Sequence, residues 1–324
     1  LGRFHLIGEN NKKHRERMLG VFNLKQRTRK TTMETILQGK KNTVRIAPDR
    51  PTVLIGKRIR PAARRLSDGE PIVSYAEIAK NEALAQVAAG ADVVNVNVSE
   101  TGKNEKQLLP QAVEIAQEAV EVPISIEALN LEALAASLAA CHGKPLINAV
   151  TGEEESLKQV LPLVAEYGVA VIGRCVDEEG ISNDPYKRLE IASRIVERAE
   201  ALGIPHEDIL IDCLTQSIEA DREAASVTLE AIRLVRDEMG SNMTLDVSSI
   251  SFDLPNHATL HQALLAVAIA EGVNAPIVNV ARDRQAILAL DTILGRDEAS
   301  MRYIQYYHFR RSGMRSMIDW EMID

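Results

Sequence analysis

The sequence predicts a (β/α)₈ TIM barrel, on three observations. From Pro51 to Gly295 a short apolar run followed by an amphipathic helical stretch repeats eight times, at roughly 30-residue spacing. Most of the runs are dense in Val, Ile and Leu without strict alternation, the pattern of parallel strands buried on both faces. The chain is 45% hydrophobic but only 3% aromatic, so its core must be aliphatic, which suits the layers of branched side chains inside a barrel. An open doubly wound sheet is the competing architecture, and eight units fit closure better.

The predicted strands are Thr52–Gly56, Asp92–Val98, Val122–Glu127, Pro145–Val150, Ala170–Val176, Ile209–Leu214, Met243–Ser248 and Pro276–Val280. Between them the apolar spacing predicts helices that include Ser74–Ala89, Lys106–Ala119, Leu131–Ala140, Pro185–Leu202 and Asp221–Met239. Asn183-Asp184-Pro185 offers a cap followed by proline at the first helical turn, and Gly90, Gly203 and Gly240 stand where helices should stop. Glu153, Glu154 and Glu155 open a further helix, where acidic side chains favour the macrodipole. In such a barrel the chemistry lies at the carboxyl ends of the strands, so the residues that close each apolar run are the ones to read.

Residues 33–295 are expected to form the barrel, with a basic extension at 1–32 and an aromatic, arginine-rich tail at 296–324. The first fifty residues hold 13 Lys and Arg against 4 Asp and Glu, whereas the whole chain holds 38 against 46. The basic arm lacks stacking aromatics, zinc spacing and a DNA-reading motif, so no nucleic-acid partner is expected. The chain begins with Leu1, and Met33 is read as the native start, with 1–32 a processing or start-site artefact. No apolar run approaches the ~18 residues of a membrane span. Cys141, Cys175 and Cys213 lack paired spacing and read as reduced thiols of a cytoplasmic protein. Cys213, at a strand end, is read as a packed thiol rather than a nucleophile. The seven histidines form no HxH or HExxH pair, so no metal site is expected. Tyr303, Tyr306, Tyr307, Phe309 and Trp320 in the tail are expected either to cover the barrel or to serve a homodimer contact.

Taken in order, the strand ends resemble a known family. Ile55-Gly56-Lys57-Arg58-Ile59-Arg60-Pro61 is similar to IGERINP, Ala89-Gly90-Ala91-Asp92-Val93-Val94-Asn95-Val96-Asn97 to AGADxxDVN, and Val122 to Asn130 to VPLxxDSxN. Leu146 to Glu153 resembles LINSVTGE, Ile211-Asp212-Cys213-Leu214 resembles IDPL, and Leu245 to Pro255 resembles LGxSNxSFGLP. These are the motifs of pterin-binding barrels that move the methyl group of methyltetrahydrofolate to a corrinoid protein, and the match runs unbroken from about Met33 to Gly295.

The resemblance implies a tetrahydrofolate-type reduced pterin as ligand and a corrinoid (cobalamin) supplied by a partner protein. A pterin presents a flat edge of donors and acceptors that strand-end carboxylates and carboxamides can match. By resemblance Asn130, Asn148 and Asp212 stand at pterin-binding positions, as do Asn95 and Glu127, each in place of a family Asp. Ser249 falls where the family places an Asn that assists the methyl-bearing N5, and is the catalytic candidate. Lys57 replaces a family Glu, Arg60 an Asn and Arg174 an apolar residue, while Asp246 and Asp253 replace Gly. Lys57, Arg58, Arg60 and Arg174 are therefore read as contacts for an anionic ligand tail. Two outcomes stay open: a methyltransferase of one-carbon metabolism, or a diverged pterin-binding barrel with an altered anionic ligand or no catalytic activity.

Overall fold

The computed structural model describes residues 33–59, 75–98, 105–219, 221–251 and 254–311. A β-hairpin comes first, β1 (Thr35–Gln38) and β2 (Thr43–Ile46). The barrel follows as β3 (Ile55–Ile59), α1 (Tyr75–Ala89), β4 (Val93–Asn97), α2 (Glu105–Ala119), β5 (Ile124–Glu127), α3 (Leu131–Ala140), β6 (Leu146–Thr151) and α4 (Glu154–Tyr167). It continues as β7 (Ala170–Arg174), α5 (Pro185–Glu200), β8 (Ile209–Asp212), α6 (Ala224–Met239), β9 (Met243–Thr244), α7 (His257–Glu271), β10 (Ile277–Val278) and α8 (Val280–Ile293). A last helix, α9, spans Met301–Arg311. Among the described residues no helix is long and apolar enough to cross a membrane.

All eight predicted strands are present, and each pairs in parallel with its sequence neighbour from β3 to β9, with β10 returning to β3. The seam between β9 and β10 is bridged by Ala275 N donating to Met243 O at 3.0 Å and Ile277 N donating to Leu245 O at 3.1 Å. The sheet therefore closes into the predicted barrel. Its last two strands are shorter than the apolar runs because polar side chains capture the backbone early. Asp246 accepts from Ser248 N at 2.9 Å, turning the chain into the 3₁₀ segment Val247–Ser251, and Asn279 caps α8 by accepting from Arg282 N. The predicted helix start at Asp184-Pro185 holds, with Asp184 accepting from Tyr186 N at 2.9 Å. Gly90, Gly203 and Gly240 all take positive φ at helix ends.

The hairpin β1–β2 was not among the expected elements. Its strands are only four residues long and their polar faces are exposed, so their pattern is too short to separate from loop. It seals the base of the barrel. Leu37 and Ile46 join Ile55, Val93, Leu146, Ala170, Ile172, Leu210, Ala275 and Ile277 in one buried apolar cluster. Gly39 at the hairpin turn lies so close to the chain at Glu121 that a Cβ would stand 2.4 Å from the Glu121 carbonyl oxygen, so only glycine fits.

A buried carboxamide pair ties this hairpin to the seam. Asn242 Nδ2 donates to Thr35 Oγ1 and to Ile46 O, both at 2.9 Å, and Asn274 Nδ2 donates to Asn242 Oδ1 at 2.7 Å. Asn274 Oδ1 in turn accepts from Met243 N at 2.9 Å. The tail helix α9 lies on the outer wall: Asp297 caps it through Arg302 N and Tyr303 N, Arg302 pairs with Asp291 at 3.4 Å, and the Arg284 guanidinium sits 4.9 Å from the Tyr306 ring. Removing the Asn242 amide would strand three buried partners, so Asn242→Ala is expected to lower the unfolding free energy by about 1–3 kcal/mol in urea denaturation. An unchanged midpoint would show that the seam does not depend on this network.

Candidate active site

Side chains alternate across each strand, so the residue two positions beyond each core side chain faces the same interior, nearer the mouth. Val93 leads to Asn95, Ser125 to Glu127, Leu146 to Asn148, Ile172 to Arg174 and Leu210 to Asp212. The ladder sets these side by side, with Glu127 opposite Asn148, Arg174 opposite Asp212, and Asp212 opposite Thr244. An apolar floor thus gives way within two residues to a polar ring.

Four members of that ring form one chain of contacts. Asn95, fully buried, donates from Nδ2 to Glu127 Oε2 at 2.9 Å. Glu127 Oε1 lies 3.6 Å from Arg174 Nη2, and the same Nη2 donates to Asn148 Oδ1 at 2.7 Å. Three of these residues, Asn95, Glu127 and Arg174, are among the departures from the family pattern noted above. They touch one another: the amide at 95 supplies the donor that the longer Glu127 needs, and Glu127 reaches the arginine.

Asp212 stands beside this chain, 3% exposed. Burial pushes its carboxyl up to about 6; the nearby charge of Arg174 and the bond from Leu214 N, at 2.8 Å, oppose that rise, and the Asp246 carboxylate adds to it. Among the described residues, buried polar atoms without a protein partner include Asn95 Oδ1, Ser125 Oγ, Thr244 Oγ1 and Arg174 Nε. Leaving such atoms unpaired costs free energy, and these four lie in or just beneath the ring; others, such as Gln86 Oε1 and Arg296 Nη1, lie elsewhere. Ser125 and Thr244 were missed by sequence reasoning, because a lone hydroxyl residue inside an apolar run carries no motif.

The other predicted residues lie apart from this chain. Ser249 sits in the 3₁₀ segment after β9, and its hydroxyl donates to Thr215 O at 2.9 Å. Asn130 caps α3 by accepting from Ala133 N at 2.9 Å, with its own N–H bound by Glu105 at 3.1 Å. Lys57 is half-buried on β3, the strand next to β4, where it and Arg282 act on His261; burial first, then Arg282 and Lys57, lower the proton affinity of that imidazole. Arg282 is held by Asp283 at 2.8 Å and approaches His261 Nδ1 at 3.3 Å. Lys57 was among the expected anionic-tail contacts, whereas Arg282 and His261, on different helices, were missed. Arg60, Asp253 and the Arg58 side chain lie outside the described residues. Cys213 is buried, and its carbonyl accepts from Arg188 Nη1 at 2.9 Å.

Known proteins share both the sequence pattern and the architecture. The chain is 27% identical over 262 residues to the methylcorrinoid:tetrahydrofolate methyltransferase of Eubacterium limosum, covering 77% of this chain and 96% of that one. It is 27% identical over 309 residues to the methionine synthase of Mycobacterium tuberculosis, of which it spans 25%. Among solved structures, dihydropteroate synthase from Xanthomonas albilineans superposes with a TM-score of 0.64 at 20% identity, over 82% of this chain and 99% of that chain. The Yersinia pestis dihydropteroate synthase gives 0.61 at 16% identity, over 82% of this chain and all of that one, a likeness of fold. The family described as pterin binding enzyme matches residues 65–279, a span that carries the strand ends from Asn95 to Asp212 and on through β10. With a closed barrel, a polar ring at its mouth and this match over most of its length, the chain belongs to the pterin binding enzyme family.

Proposed function

We propose that this barrel transfers a methyl group between a reduced pterin, methyltetrahydrofolate, and a corrinoid protein. The observation that carries the reading is the polar ring, in which a buried carboxylate and unpartnered acceptors stand on adjacent strands, a set suited to a flat pterin edge. The Eubacterium relative, matched over nearly its whole length, supports the same activity. In this reading Asp212 and Asn95 Oδ1 accept from the pterin N–H groups, and Asn148, Glu127 and Asn130 fix the ring between them. The corrinoid, carried by a separate protein docked over the mouth, supplies the cobalt centre that exchanges the methyl group.

What remains for the chain is the N5 nitrogen, a poor leaving group until it gains a proton or a hydrogen bond. The Ser249 hydroxyl hydrogen is directed at the Thr215 carbonyl, so serine offers N5 an oxygen rather than a donor. That favours a second reading, a diverged barrel with slow transfer or another ligand, in which the Lys57 and Arg282 wall receives an anionic tail. Two features of context belong to the proposal. The free cysteines, of which Cys175 and Cys213 are buried, fit a cytoplasmic enzyme. The exposed apolar side chains of Met301, Ile304, Tyr307 and Phe309 on α9 fit a homodimer.

Asp212→Ala is expected to weaken reduced-pterin binding by about 1–3 kcal/mol in calorimetry. A parent protein without pterin affinity would remove the whole reading. Ser249→Asn should raise the single-turnover rate with methyltetrahydrofolate and reduced cobalamin on the order of tenfold, with little change in affinity, because the added donor acts mainly in the transition state. A fast parent slowed by Asn would assign N5 assistance to another group.

Asn95→Asp restores a family residue yet is expected to weaken pterin binding about tenfold, since it sets a carboxylate against Glu127 where an amide now donates. Adding Glu127→Gln should recover most of that loss, and a single variant that binds as tightly as the parent would separate the two positions.

A further inference from the structure

Arg174 was read as a contact for an anionic ligand tail, and its guanidinium also meets other side chains of the barrel. Its Cα is opposite that of Asp212 in the β7–β8 ladder, and both side chains face the interior. On the side away from Asp212 its Nη2 is held by Asn148 at 2.7 Å and Glu127 at 3.6 Å, so β5 and β6 both restrain the guanidinium. Its Nε is buried without a protein partner. These contacts hold the guanidinium within the ring, on the strand paired with that of Asp212.

The charged and titratable groups around Asp212 come from each element packed against it. Arg174 ends β7 and Cys175 follows it, Cys213 follows Asp212 at the end of β8, Asp246 follows β9, and Arg188 reaches in from α5. Cys175 shares a hydrogen bond with Cys213, which together with burial keeps its thiol protonated and removes it as a source of charge. Arg188 donates to Cys213 O, Leu214 O and Thr228 Oγ1, so it is committed to the loop after β8. Asp246 opposes ionisation of Asp212. Arg174 and Arg188 both counter it, and Arg174 is the one on the strand paired with Asp212.

We infer that Arg174 is a positioning residue: latched by Asn148 and Glu127 on the strand beside Asp212, it favours the charged carboxylate of Asp212 at neutral pH. The consequence for ligand rests on the pterin reading, in which an ionised Asp212 accepts hydrogen bonds from the pterin edge. The coupling itself does not, and can be measured without ligand. Burial alone would favour the protonated acid, which can offer a proton where an acceptor is needed. The latch also explains why Asn95, Glu127 and Arg174 depart from the family pattern together, since the arginine needs Glu127 and Glu127 needs the amide of Asn95.

The test is a carboxyl titration followed by carbon-13 NMR on aspartate-labelled parent, Arg174→Met and Arg174→Lys proteins, without ligand. The Asp212 signal is identified by its loss in Asp212→Asn. The parent midpoint is expected at about 6. Arg174→Met should raise it by about one pH unit or more, and Arg174→Lys should stay near the parent, the usual scale for a cation beside a carboxylate. An unmoved midpoint in Arg174→Met, or an equal rise in Arg174→Lys, would overturn the inference. Should the Met variant fail to fold, Asn148→Ala removes one latch and leaves the arginine, and a smaller upward shift is expected; no shift would reject the latch. A second arm measures reduced-pterin affinity against pH, where the acid limb should move with the NMR midpoint. A shifted Asp212 in a protein that binds no pterin would sink the proposed function and leave the Arg174 coupling standing. Pterin binding with an unmoved Asp212 would do the reverse.

Discussion

Everything at the mouth depends on closure of the sheet between its two shortest strands. An inward-facing side chain is buried only if the strands form a ring, and β9 and β10 have two residues each with which to complete it. The chain solves this with side-chain amides. Asn274 uses its carboxamide to take the Met243 N–H and to donate to Asn242, and Asn242 passes the connection on to the hairpin beneath the barrel. Polar side chains thus reinforce the few backbone bonds that join β9 to β10, and being fully surrounded they have no water to compete for them.

Above the seam, the same alternation of side chains that fills the base with aliphatics must deliver the next layer into the mouth. Where that layer is polar it needs partners, and here the partners are one another. Each of Asn95, Glu127, Arg174 and Asn148 meets a need of its neighbour. A substitution in such a chain is felt along it, so residues that look like isolated losses against a family pattern form a rewired set. The ring carries less negative charge than the family pattern implies, because an amide and a guanidinium stand where that pattern has a carboxylate and an apolar side chain.

How much of this was legible depended on the range of the interactions involved. The eight strands and the helix ends at Asp184, Gly90, Gly203 and Gly240 could be read because they follow from local chemistry. The inward placement of Asn95, Glu127, Asn148, Arg174 and Asp212 could be read too, since it follows from strand position. What these side chains touch could not. Arg174 read as a rim cation because nothing local shows Asn148 and Glu127 on the neighbouring strands. Ser249 read as a group for the ligand because its bond to the Thr215 carbonyl joins two separate loops. Asn130 read as a ligand contact although it is also a helix cap, a role its place before Leu131 would have suggested. The hairpin escaped because its meaning lies in the barrel base that it covers.

The contacts that complete the ring also set an order in time. Thr52, at the entrance to β3, is bound through its N–H and hydroxyl by Asp291, 239 residues further on, and Val53 N donates to Asn274 O. Neither bond can form until nearly the whole barrel has left the ribosome. Until then β3 presents an open edge with its parallel partner β10 still unmade, the kind of edge that invites pairing with another chain. For a nascent chain of this fold, the interval between synthesis of the first strand and the last is therefore the period of greatest exposure to aggregation, and the chaperones that matter would be those that shield an early strand rather than those that rescue a finished domain.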